Sequence, residues 1–356
     1  MPDQPRRRRP SAQPLRRKRQ ATLKDVAQLA GVSPMTVSNV VNGTMRGYNE
    51  QTRDRVLKAI EAAGYRPHLA ARSLRSDKRL AVGMLVVQTG RRFLADPYIT
   101  TLIDGLCAGL NQRGYSLVLQ GLQPEEVGTS SLVQHLQTDG LCILTPGDFA
   151  NSQPLRRLVE AMHQPVALFQ QPPHDRLADI CFLRQDDFDG GRALCSHLMA
   201  RGAKKIVALV PELDWPAMQA RVAGARQHVD DAKGAAALTV VTSTDESAAA
   251  TQRALDAYLR EGGTLDAVLA GNDQMAIAAY RLLSQRGLRI PEDVRLSGFN
   301  GLDFLDYFDA ELTTVRSPAF ELGQLGADHM VRRIESGSFD SPVVTLPTAL
   351  QIGETS

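Results

Sequence analysis

The chain has 356 residues, 43% of them hydrophobic, which is enough to bury the cores of two or three domains. No apolar stretch reaches the ~18–20 residues that a membrane helix needs, and no signal-peptide core follows the basic N-terminus, so neither a membrane protein nor an exported one is expected. The four cysteines (Cys107, Cys142, Cys181 and Cys195) are scattered and form no CxxC pair, which favours reduced thiols in a cytoplasmic protein over disulfides or a zinc site.

The net charge of +2 hides a strong asymmetry along the chain. Residues 1–20 hold eight Lys or Arg and one Asp, and residues 21–79 hold ten basic and five acidic residues, so the remainder has a net charge of −10. Positive charge suited to a polyanion is therefore confined to the N-terminal quarter. Residues 1–20, rich in Arg, Pro and Gln, predict a disordered basic arm, which could neutralise nucleic-acid phosphates or could be a solvated leader without a role.

Residues 22–42 predict two short helices separated by Gly31. Thr22 is a good N-cap with Asp25 three residues on, and Ser33 caps the second helix, whose first position suits Pro34. The buried side of this second helix is predicted from Val37, Val40 and Val41, and the outward side from Met35, Ser38, Asn39 and Asn42. This layout is that of a helix–turn–helix, whose second helix enters the DNA major groove, although an αα-hairpin in a core has the same spacing.

A third helix is predicted from residue 49 to Gly64, and its apolar side is read as Val56, Leu57, Ile60 and Ala63. The segments TLKDVAQLAGVSPMTVSNVVNG, TRDRVLKAIEAAGYRP and AARSLRS together resemble the headpiece and hinge of the lactose-repressor (LacI/GalR) family, from Thr22 to about Arg75. The resemblance implies an all-α helix–turn–helix DNA-binding domain at residues 21–66. It also implies a hinge helix within 67–79, too short to be stable alone, that folds when two copies meet on DNA.

The second helix is the recognition helix of this layout, and its Pro34, Met35 and Asn39 are expected to contact base edges. Asn can form two hydrogen bonds with adenine, while Pro and Met offer only apolar contact. Phosphate contacts are expected from Thr22, Ser33, Thr36, Ser38 and Asn42. In the hinge, the resemblance makes Leu74 the apolar wedge that enters the minor groove, flanked by Arg72 and Arg75. The alternative for Leu74 is packing against its own headpiece.

From Leu80 onward, strand-like runs alternate with helical patterns. Strands are predicted at 81–88, 115–122, 140–145, 166–170, 180–183, 205–210, 238–242, 267–270 and 294–299, and helices at 99–113, 153–163, 190–201, 248–261 and 274–286. Such alternation predicts two doubly wound parallel-sheet subdomains. It resembles the periplasmic-binding-protein-like core of the same family over residues 80–356, with 80–182 and 317–346 in one lobe and 183–316 and 347–356 in the other.

Small molecules bind beyond the carboxyl ends of strands in such sheets. Three stretches at these positions match effector sites of the family: 215–224, which carries Arg221 in an Arg-x-x-Gly element; 270–276, in which Asn272 faces the cleft and Asp273 caps the next helix; and 297–301, which carries Asn300. Arg221 suits a carboxylate, a phosphate or a polarised hydroxyl pair, or a salt bridge to the acidic body.

The family usually has Asp where this chain has Asn300. An amide accepts with one atom and donates with the other, so the ligand could carry an acceptor or acidic group, or the pocket could be degenerate. Trp215 could stack on a sugar or pack on its loop neighbours, and Tyr98 is a weaker candidate from the other lobe.

At the C-terminus, residues 346–356 resemble the family's closing strand, with Gly353 where an Arg is common. No leucine heptad, which would form a tetramerising tail, follows this strand, so a homodimer is expected.

Enzyme signatures are missing from the sequence. It has no GxGxxG after a strand, no P-loop, no HExxH and no serine nucleophile elbow, and its seven His are dispersed, so no catalytic residue, metal or cofactor is predicted. The prediction is a dimeric, cytoplasmic, nucleoid-associated transcription regulator, a repressor, that binds a palindromic operator under control of a sugar-like effector between the lobes. The alternatives are a DNA-binding regulator that has lost effector sensing and a solute-binding protein.

Overall fold

The chain forms two compact units, residues 1–79 and residues 80–356. Five features predicted from the sequence lie outside the residues that the structure describes: the arm at 1–20, Asn42, Arg72, Leu74 and Arg75. The computed structural model describes residues 21–41, 44, 47–65, 78–88, 92–135, 137–147, 149, 152–162, 164–174, 179–212 and 215–356.

The described part of the first unit consists of three helices, α1 (Leu23–Ala30), α2 (Pro34–Val41) and α3 (Glu50–Ala63). Helix α1 begins with the predicted capping box, in which the Thr22 amide donates to the Asp25 carboxylate at 2.7 Å and the Asp25 amide donates to Thr22 Oγ1 at 3.3 Å. Gly31 ends α1 in the left-handed conformation (φ 64°), where a side chain would add strain. The Thr36 amide then donates to Ser33 Oγ at 3.1 Å, which confirms the predicted start of α2.

The core of this unit is the contact of the three helices around Val26, Val37 and Val56, none of which is exposed to solvent. The prediction that Leu57 belongs to the buried side of α3 is wrong, because that side chain is 45% exposed. The buried stripe of α3 runs through Val56 and Ala59, and Leu57 lies about 100° around the helix from Val56.

The described residues of the second unit form two parallel sheets and one antiparallel strand pair. The six-stranded sheet has the order β11-β5-β4-β3-β1-β2, the four-stranded sheet has the order β7-β6-β8-β9, and β10 pairs with β12. The strands are β1 (Ala81–Val87), β2 (Ser116–Leu122), β3 (Gly140–Leu144), β4 (Val166–Phe169), β5 (Ile180–Gln185), β6 (Lys205–Pro211), β7 (Ala237–Ser243), β8 (Ala267–Ala270), β9 (Arg295–Ser297), β10 (Thr314–Arg316), β11 (Val343–Leu346) and β12 (Ala349–Gln351).

Helices cover both faces of each sheet, as parallel sheets require. They are α4 (Pro97–Gln112), α5 (Ser131–Gln134), α6 (Gln153–Ala161), α7 (Asp187–Ala200), α8 (Pro216–Asp231), α9 (Ala248–Arg260), α10 (Asp273–Gln285) and α11 (Ala319–Ser336). Short 3₁₀ helices lie at Phe93–Ala95, Pro124–Thr129 and Asp303–Tyr307. Because side chains alternate along a strand, β1 sends Met84 to one core and Leu85 to the core on the opposite face.

We call the six-stranded sheet with its helices the first lobe and the four-stranded sheet with its helices the second lobe. The chain passes between them three times, after β5, after β10 and after β11. Strand β5 pairs with β4 over residues 180–183 and with β11 over residues 182–185. The first passage therefore comes after Gln185, a little later than the boundary at 182 expected from the sequence. The ranges predicted from the sequence did not include α5, α8, α11, β10 or β11. Strand β10 is only three residues long, which is too short for a period-2 pattern, whereas α11 does carry a helical pattern, since its buried Leu322, Gly326 and Met330 lie four residues apart.

Candidate functional site

The outward surface of α2 carries exposed Pro34 and Met35, and Met35 is 62% exposed despite being apolar. Asn39 is half-buried on the same helix, and its carbonyl accepts the Thr44 amide at 2.9 Å. The hydroxyl groups of Ser33 and Thr36 lie 3.0 Å apart at the helix start. An exposed apolar side chain next to hydroxyl and amide groups suits a base edge bordered by phosphates.

Ser38 does not belong to that surface. It was expected to face outward and contact phosphate, but its side chain is only 4% exposed. The physical reason is that α2 packs against both α1 and α3, so its buried face is wider than the three-valine stripe implied. Ser38 is small enough to lie at the border of this face.

In the second unit, one cavity between the lobes is lined by all five effector residues predicted from the sequence: Tyr98, Trp215, Arg221, Asn272 and Asn300. Tyr98 lies in the first turn of α4, Trp215 caps α8, Arg221 lies one turn into α8, Asn272 caps α10, and Asn300 follows β9. The cavity also receives Asp96, Gln170, Met218 and Glu246, which the sequence reading did not single out. Its volume is about 50 Å³, far below the few hundred Å³ that usual ligand pockets enclose.

Arg221 is only 3% exposed and is held on three sides. Its Nε donates to Asp187 Oδ1 at 2.8 Å, its Nη1 donates to the Gly271 carbonyl at 2.5 Å, and its Nη2 donates to Asn300 Oδ1 at 3.3 Å. The guanidinium carbon also lies 3.7 Å from the centroid of the Phe299 ring. A fourth N–H group donates to Met218 Sδ, 3.8 Å from Nη1. Arg221 is therefore fixed in place, with one of its five N–H groups left over for other partners.

Two glycines bring the backbones of α7 and α8 together at this position. A Cβ on Gly191 would lie 2.1 Å from the Arg221 carbonyl oxygen, and a Cβ on Gly224 would lie 1.9 Å from the Phe188 carbonyl oxygen. This contact explains the Gly of the Arg-x-x-Gly element: it lets α8 approach α7 closely enough for Arg221 to reach Asp187.

The prediction for the loop after β8 is confirmed for Asn272, which lines the cavity, but is wrong for Asp273 as the helix cap. Asn272, not Asp273, caps α10, since its Oδ1 accepts the Met275 amide at 2.9 Å and its backbone is extended (φ −150°) as an N-cap requires. Asp273 instead accepts the Gly301 amide at 2.7 Å and the Thr314 hydroxyl at 2.6 Å. Asn272 thus both caps the helix and lines the cavity.

Asn300 has a positive φ of 114°, a conformation that Asn tolerates better than most residues. Its amide nitrogen donates nothing to Arg221, because the Oδ1 atom faces the guanidinium. An Asp at this position would make a second ion pair with Arg221. With Asn300, the cavity has one negative charge fewer and gains an amide donor.

Carboxyl groups of this region have raised pKa values because they are shielded from water. Burial raises the pKa of Glu246 to about 7, with a further contribution from the Asp96 carboxylate, while Arg221 and a hydrogen bond from Asn272 act in the opposite direction. Burial also raises the pKa of Asp96 and of Asp187, and Arg221 opposes both shifts. Burial raises the pKa of Asp273 to about 7.

A chain of hydrogen bonds joins the cavity wall to the passages between the lobes. Gln170 Nε2 donates to the Tyr98 hydroxyl at 2.6 Å, and Gln170 Oε1 accepts the Gln185 amide at 3.1 Å. Gln185 Nε2 donates to Asp187 Oδ1 at 2.8 Å, and its Oε1 accepts the Ser317 hydroxyl in the second passage. Gln185, at the end of β5, therefore connects both walls of the cavity to two of the three passages.

Trp215 belongs to the second lobe but packs against the hydrophobic core of the first, together with Tyr98. Within the described residues, no helix is long and apolar enough to span a membrane, and no three His, Cys, Asp or Glu side chains are grouped as metal ligands would be. The strand-end rule could have found Glu246, which follows β7, and Asp187, which follows β5, had it been applied to every strand.

Comparisons with known proteins agree with this architecture. The family model described as bacterial regulatory proteins, lacI family, matches residues 22–68, and the model of a periplasmic binding protein-like domain matches residues 195–356. The transcriptional repressor PurR of Aliivibrio fischeri is 30% identical over 325 residues, which are 88% of this chain and 92% of that protein.

Two solved structures are similar over nearly the whole chain. A complex of the transcriptional regulator CelR with cellobiose is 26% identical with a TM-score of 0.69, and covers 94% of this chain and 100% of its own. A Lac repressor dimer bound to operator and the anti-inducer ONPF is 25% identical with a TM-score of 0.84, and covers 95% and 99%. The chain therefore belongs to the lacI family of bacterial regulatory proteins and is a DNA-binding transcriptional regulator, not an enzyme.

Proposed function

We propose that this regulator is a homodimeric repressor whose affinity for a palindromic operator is set by a small sugar-like effector bound in the cavity between the lobes. The observation that supports this most directly is the convergence of Tyr98, Trp215, Arg221, Asn272 and Asn300, predicted from separate parts of the sequence, on one cavity. The relatives support the same function: one solved structure is a CelR–cellobiose complex and another is a Lac repressor dimer on operator DNA.

On the DNA side, Pro34, Met35 and Asn39 are the proposed base readers. Met35 is exposed, and Asn39 has the amide that pairs with adenine through two hydrogen bonds. Thr22, Ser33 and Thr36 are proposed to contact phosphates, as is Asn42, while Leu74 between Arg72 and Arg75 is proposed to enter the minor groove. The basic arm at 1–20 would add electrostatic affinity without sequence preference.

On the effector side, the cavity offers hydrogen-bonding groups and an aromatic wall, which is the combination that binds sugars. Carboxylates accept hydrogen bonds from hydroxyl groups, the Asn300 and Asn272 amides both donate and accept, and Trp215 provides a flat apolar face. Because the cavity encloses only about 50 Å³, a sugar needs the lobes to move apart before it can enter.

That movement supplies the mechanism. A ligand shifts the equilibrium between lobe arrangements only by as much as its affinities for the two arrangements differ. Cross-cavity packing of Trp215 against the first lobe favours the closed arrangement when the cavity is empty. A ligand that holds the lobes at another angle would change the spacing of the two hinge segments in the dimer, and thereby their ordering on DNA. The site of action is proposed to be the nucleoid in the cytoplasm.

The test combines DNA selection with ligand screening on the full chain. Selection from random duplexes should enrich a palindrome, and a thermal-shift screen of sugars should find a ligand that stabilises the protein and changes operator affinity in fluorescence anisotropy. Enrichment of no sequence, with or without ligands, would refute operator binding. Enrichment of a palindrome without any sugar response would instead identify a regulator that does not sense sugars.

A further inference from the structure

The cavity between the lobes has an unbalanced charge. Among the described residues, its lining contains the carboxyl groups of Asp96 and Glu246 and one basic side chain, Arg221. Asp96 comes from the first lobe, at the start of α4, and Glu246 comes from the second lobe, in the loop after β7. The two acids therefore approach the same enclosed space from opposite sides.

The positive charge of Arg221 is already balanced. Its Nε forms an ion pair with Asp187 Oδ1 at 2.8 Å, and both side chains are only 4% exposed. Two further N–H groups donate to the Gly271 carbonyl and to Asn300. Since a fourth N–H group donates to Met218 Sδ, Arg221 can still offer one N–H group to a ligand oxygen, but it does not add a net positive charge to the site.

Among the residues described in the cavity wall, the only cation near Asp96 and Glu246 is Arg221, which lowers the pKa of both but is already ion-paired with Asp187. The Asp96 carboxylate accepts the Tyr98 amide at 2.8 Å through Oδ1, and Glu246 bonds with the neutral Asn272. Carboxylates shielded from water are normally paired with a cation, because their desolvation is costly otherwise. When the site is empty, proton uptake relieves the imbalance, as the pKa of about 7 for Glu246 indicates.

An aromatic face completes this part of the wall. Trp215 lines the cavity with the two acids, and an indole ring attracts a cation over its face. The cavity therefore combines two carboxylates and an aromatic face with an arginine that is ion-paired with Asp187. The carboxylates would repel an anionic ligand, whereas an ammonium group would be attracted by Asp96, Glu246 and Trp215.

We propose that the Asp96–Glu246 pair makes the effector cavity selective for an amine-bearing sugar, whose ammonium group balances the negative charge that the described residues of the cavity wall leave unbalanced within the protein. This proposal rests on the proposed function, since it assumes that the cavity is the effector site. From the chemistry of Arg221 and Asn300 alone, the ligand could have been a sugar acid or a phosphate. The proposal excludes both as effectors. It also gives the ligand a means of joining the lobes, because each lobe contributes one carboxylate.

The experiment compares matched ligands on the full-length dimer at pH 6.5 by isothermal titration calorimetry. The probes are D-glucosamine, D-glucose and D-gluconate, and, as disaccharides, deacetylated chitobiose, cellobiose and cellobionate. Within each set, the amine-bearing sugar should bind at least about tenfold tighter than the neutral one, a common size for a shielded charge pair, and the acid should not bind. Titrations in two buffers of different ionisation enthalpy should show net proton release for the amine-bearing sugar alone.

Two isosteric variants and a control test the assignment. Asp96→Asn keeps the cap of α4, and Glu246→Gln keeps a partner for Asn272, so both should fold; each should reduce the preference for the amine-bearing sugar to threefold or less. Asp303→Asn, an exposed acid outside the cavity lining, should leave the preference unchanged.

The possible outcomes separate this proposal from the proposed function. Neutral sugars that bind as tightly as amine-bearing sugars, or a preference that survives in both variants, would overturn the charge selectivity and leave sugar sensing in place. Binding of the acids would overturn it as well. If no member of either set binds, both the charge selectivity and the sugar-sensing function are overturned.

Discussion

Asp187 and Arg221 form a buried ion pair, with 2.8 Å between Asp187 Oδ1 and Arg221 Nε, at the point where the first passage between the lobes meets the cavity. Asp187 opens α7 directly after this passage, and Arg221 lies in the cavity wall. The pair therefore connects ligand contact with the segment about which the lobes move. Its burial also means that neither partner is dispensable, since a lone charge would remain in a dry environment.

Replacing one member of this pair should destabilise the second unit strongly. Arg221→Ala should lower the free energy of unfolding by about 3–5 kcal/mol and abolish the ligand response, because it leaves the Asp187 carboxylate buried without a cation. The double variant Asp187→Leu/Arg221→Met should be less destabilised than the sum of the single variants. Urea unfolding followed by circular dichroism measures both effects. Additive losses would show that the two side chains are not energetically coupled.

The raised pKa of Glu246 makes stability depend on pH. Its pKa is about 7 in the folded chain, against an ordinary value of 4.5 for the unfolded chain, so between these values the folded state binds more protons. Stability should therefore fall as pH rises from about 4.5 to 7, by at most about 1.4 kcal/mol per pH unit for this one group. The Tm of Glu246→Gln should fall less steeply from pH 5.5 to 7.5 than that of the parent, whereas Asp303→Asn should follow the parent. Equal slopes for all three would contradict the assignment.

Gln185 should transmit the ligand response without determining ligand affinity. Its side chain bonds with Asp187 and Ser317, so Gln185→Leu removes the link between the cavity wall and the second passage. We expect a stability loss of about 1–3 kcal/mol for the buried polar groups left unpaired. Ligand affinity by calorimetry should stay within about threefold, which corresponds to well under 1 kcal/mol. The ligand-dependent change in operator affinity, measured by anisotropy, should fall at least tenfold.

Ser317→Ala provides a milder version of the same change, since it removes one hydrogen bond and leaves Gln185 bonded with Asp187. Its operator response should lie between those of the parent chain and Gln185→Leu. If both variants respond to the ligand as fully as the parent chain does, the hydrogen-bond chain plays no part in transmission.

Asn39 should determine base preference in the recognition helix. Asn39→Ala should weaken binding to the selected operator by about 1–3 kcal/mol and relax preference at an adenine position, since an amide forms two hydrogen bonds with that base. Lys58→Ala, on an exposed position of α3, is the matched control and should leave the base preference unchanged. Repeating the duplex selection with each variant gives the measurement. An unaltered selected sequence for Asn39→Ala would remove Asn39 from the base readers.

Leu74 should matter for the operator and not for DNA in general. Leu74→Ala should weaken operator binding by roughly a hundredfold, equivalent to about 2.7 kcal/mol. The reason is that no apolar side chain then inserts into the minor groove to open the base-pair step at the centre of the operator. Affinity for a scrambled duplex should change by less than about twofold, since phosphate contacts supply nearly all of that binding. Gel-shift titrations on both duplexes make the comparison. Equal losses on the two would indicate that Leu74 stabilises the headpiece and does not act as a wedge.

Local chemistry made much of this molecule predictable. The Thr22 capping box, the Gly31 turn and the Ser33 cap depend on neighbours within three residues, and all are confirmed. Strong apolar runs such as 81–87 likewise predict their own strands, because a strand buried on both faces has few polar positions. Where the chain pairs with a distant partner, as β10 does with β12, no local pattern marks the strand.

The features of both units that the sequence misassigned or missed depend on three-dimensional context. Ser38 and Leu57 were misassigned because burial depends on how many helices contact a face, which one helix's periodicity does not contain. Asp96 looks like an ordinary helix cap until the fold brings it to the same cavity as Glu246, about 150 residues away in the chain. The resemblance could place Arg221 and Asn300, but Asp187, the ion-pair partner of Arg221, came only from the fold.

The direct backbone contact between α7 and α8 at Gly191 and Gly224 has a mechanical consequence. With no side chain between the two helices at this point, there is no soft layer to absorb a displacement. A push on Arg221 of α8 should therefore turn α7 with it, and α7 begins at the passage that joins the lobes. The second lobe should thus respond to its ligand as a rigid body, so that a small shift at the guanidinium becomes a larger displacement at the parts of this lobe that lie farther away.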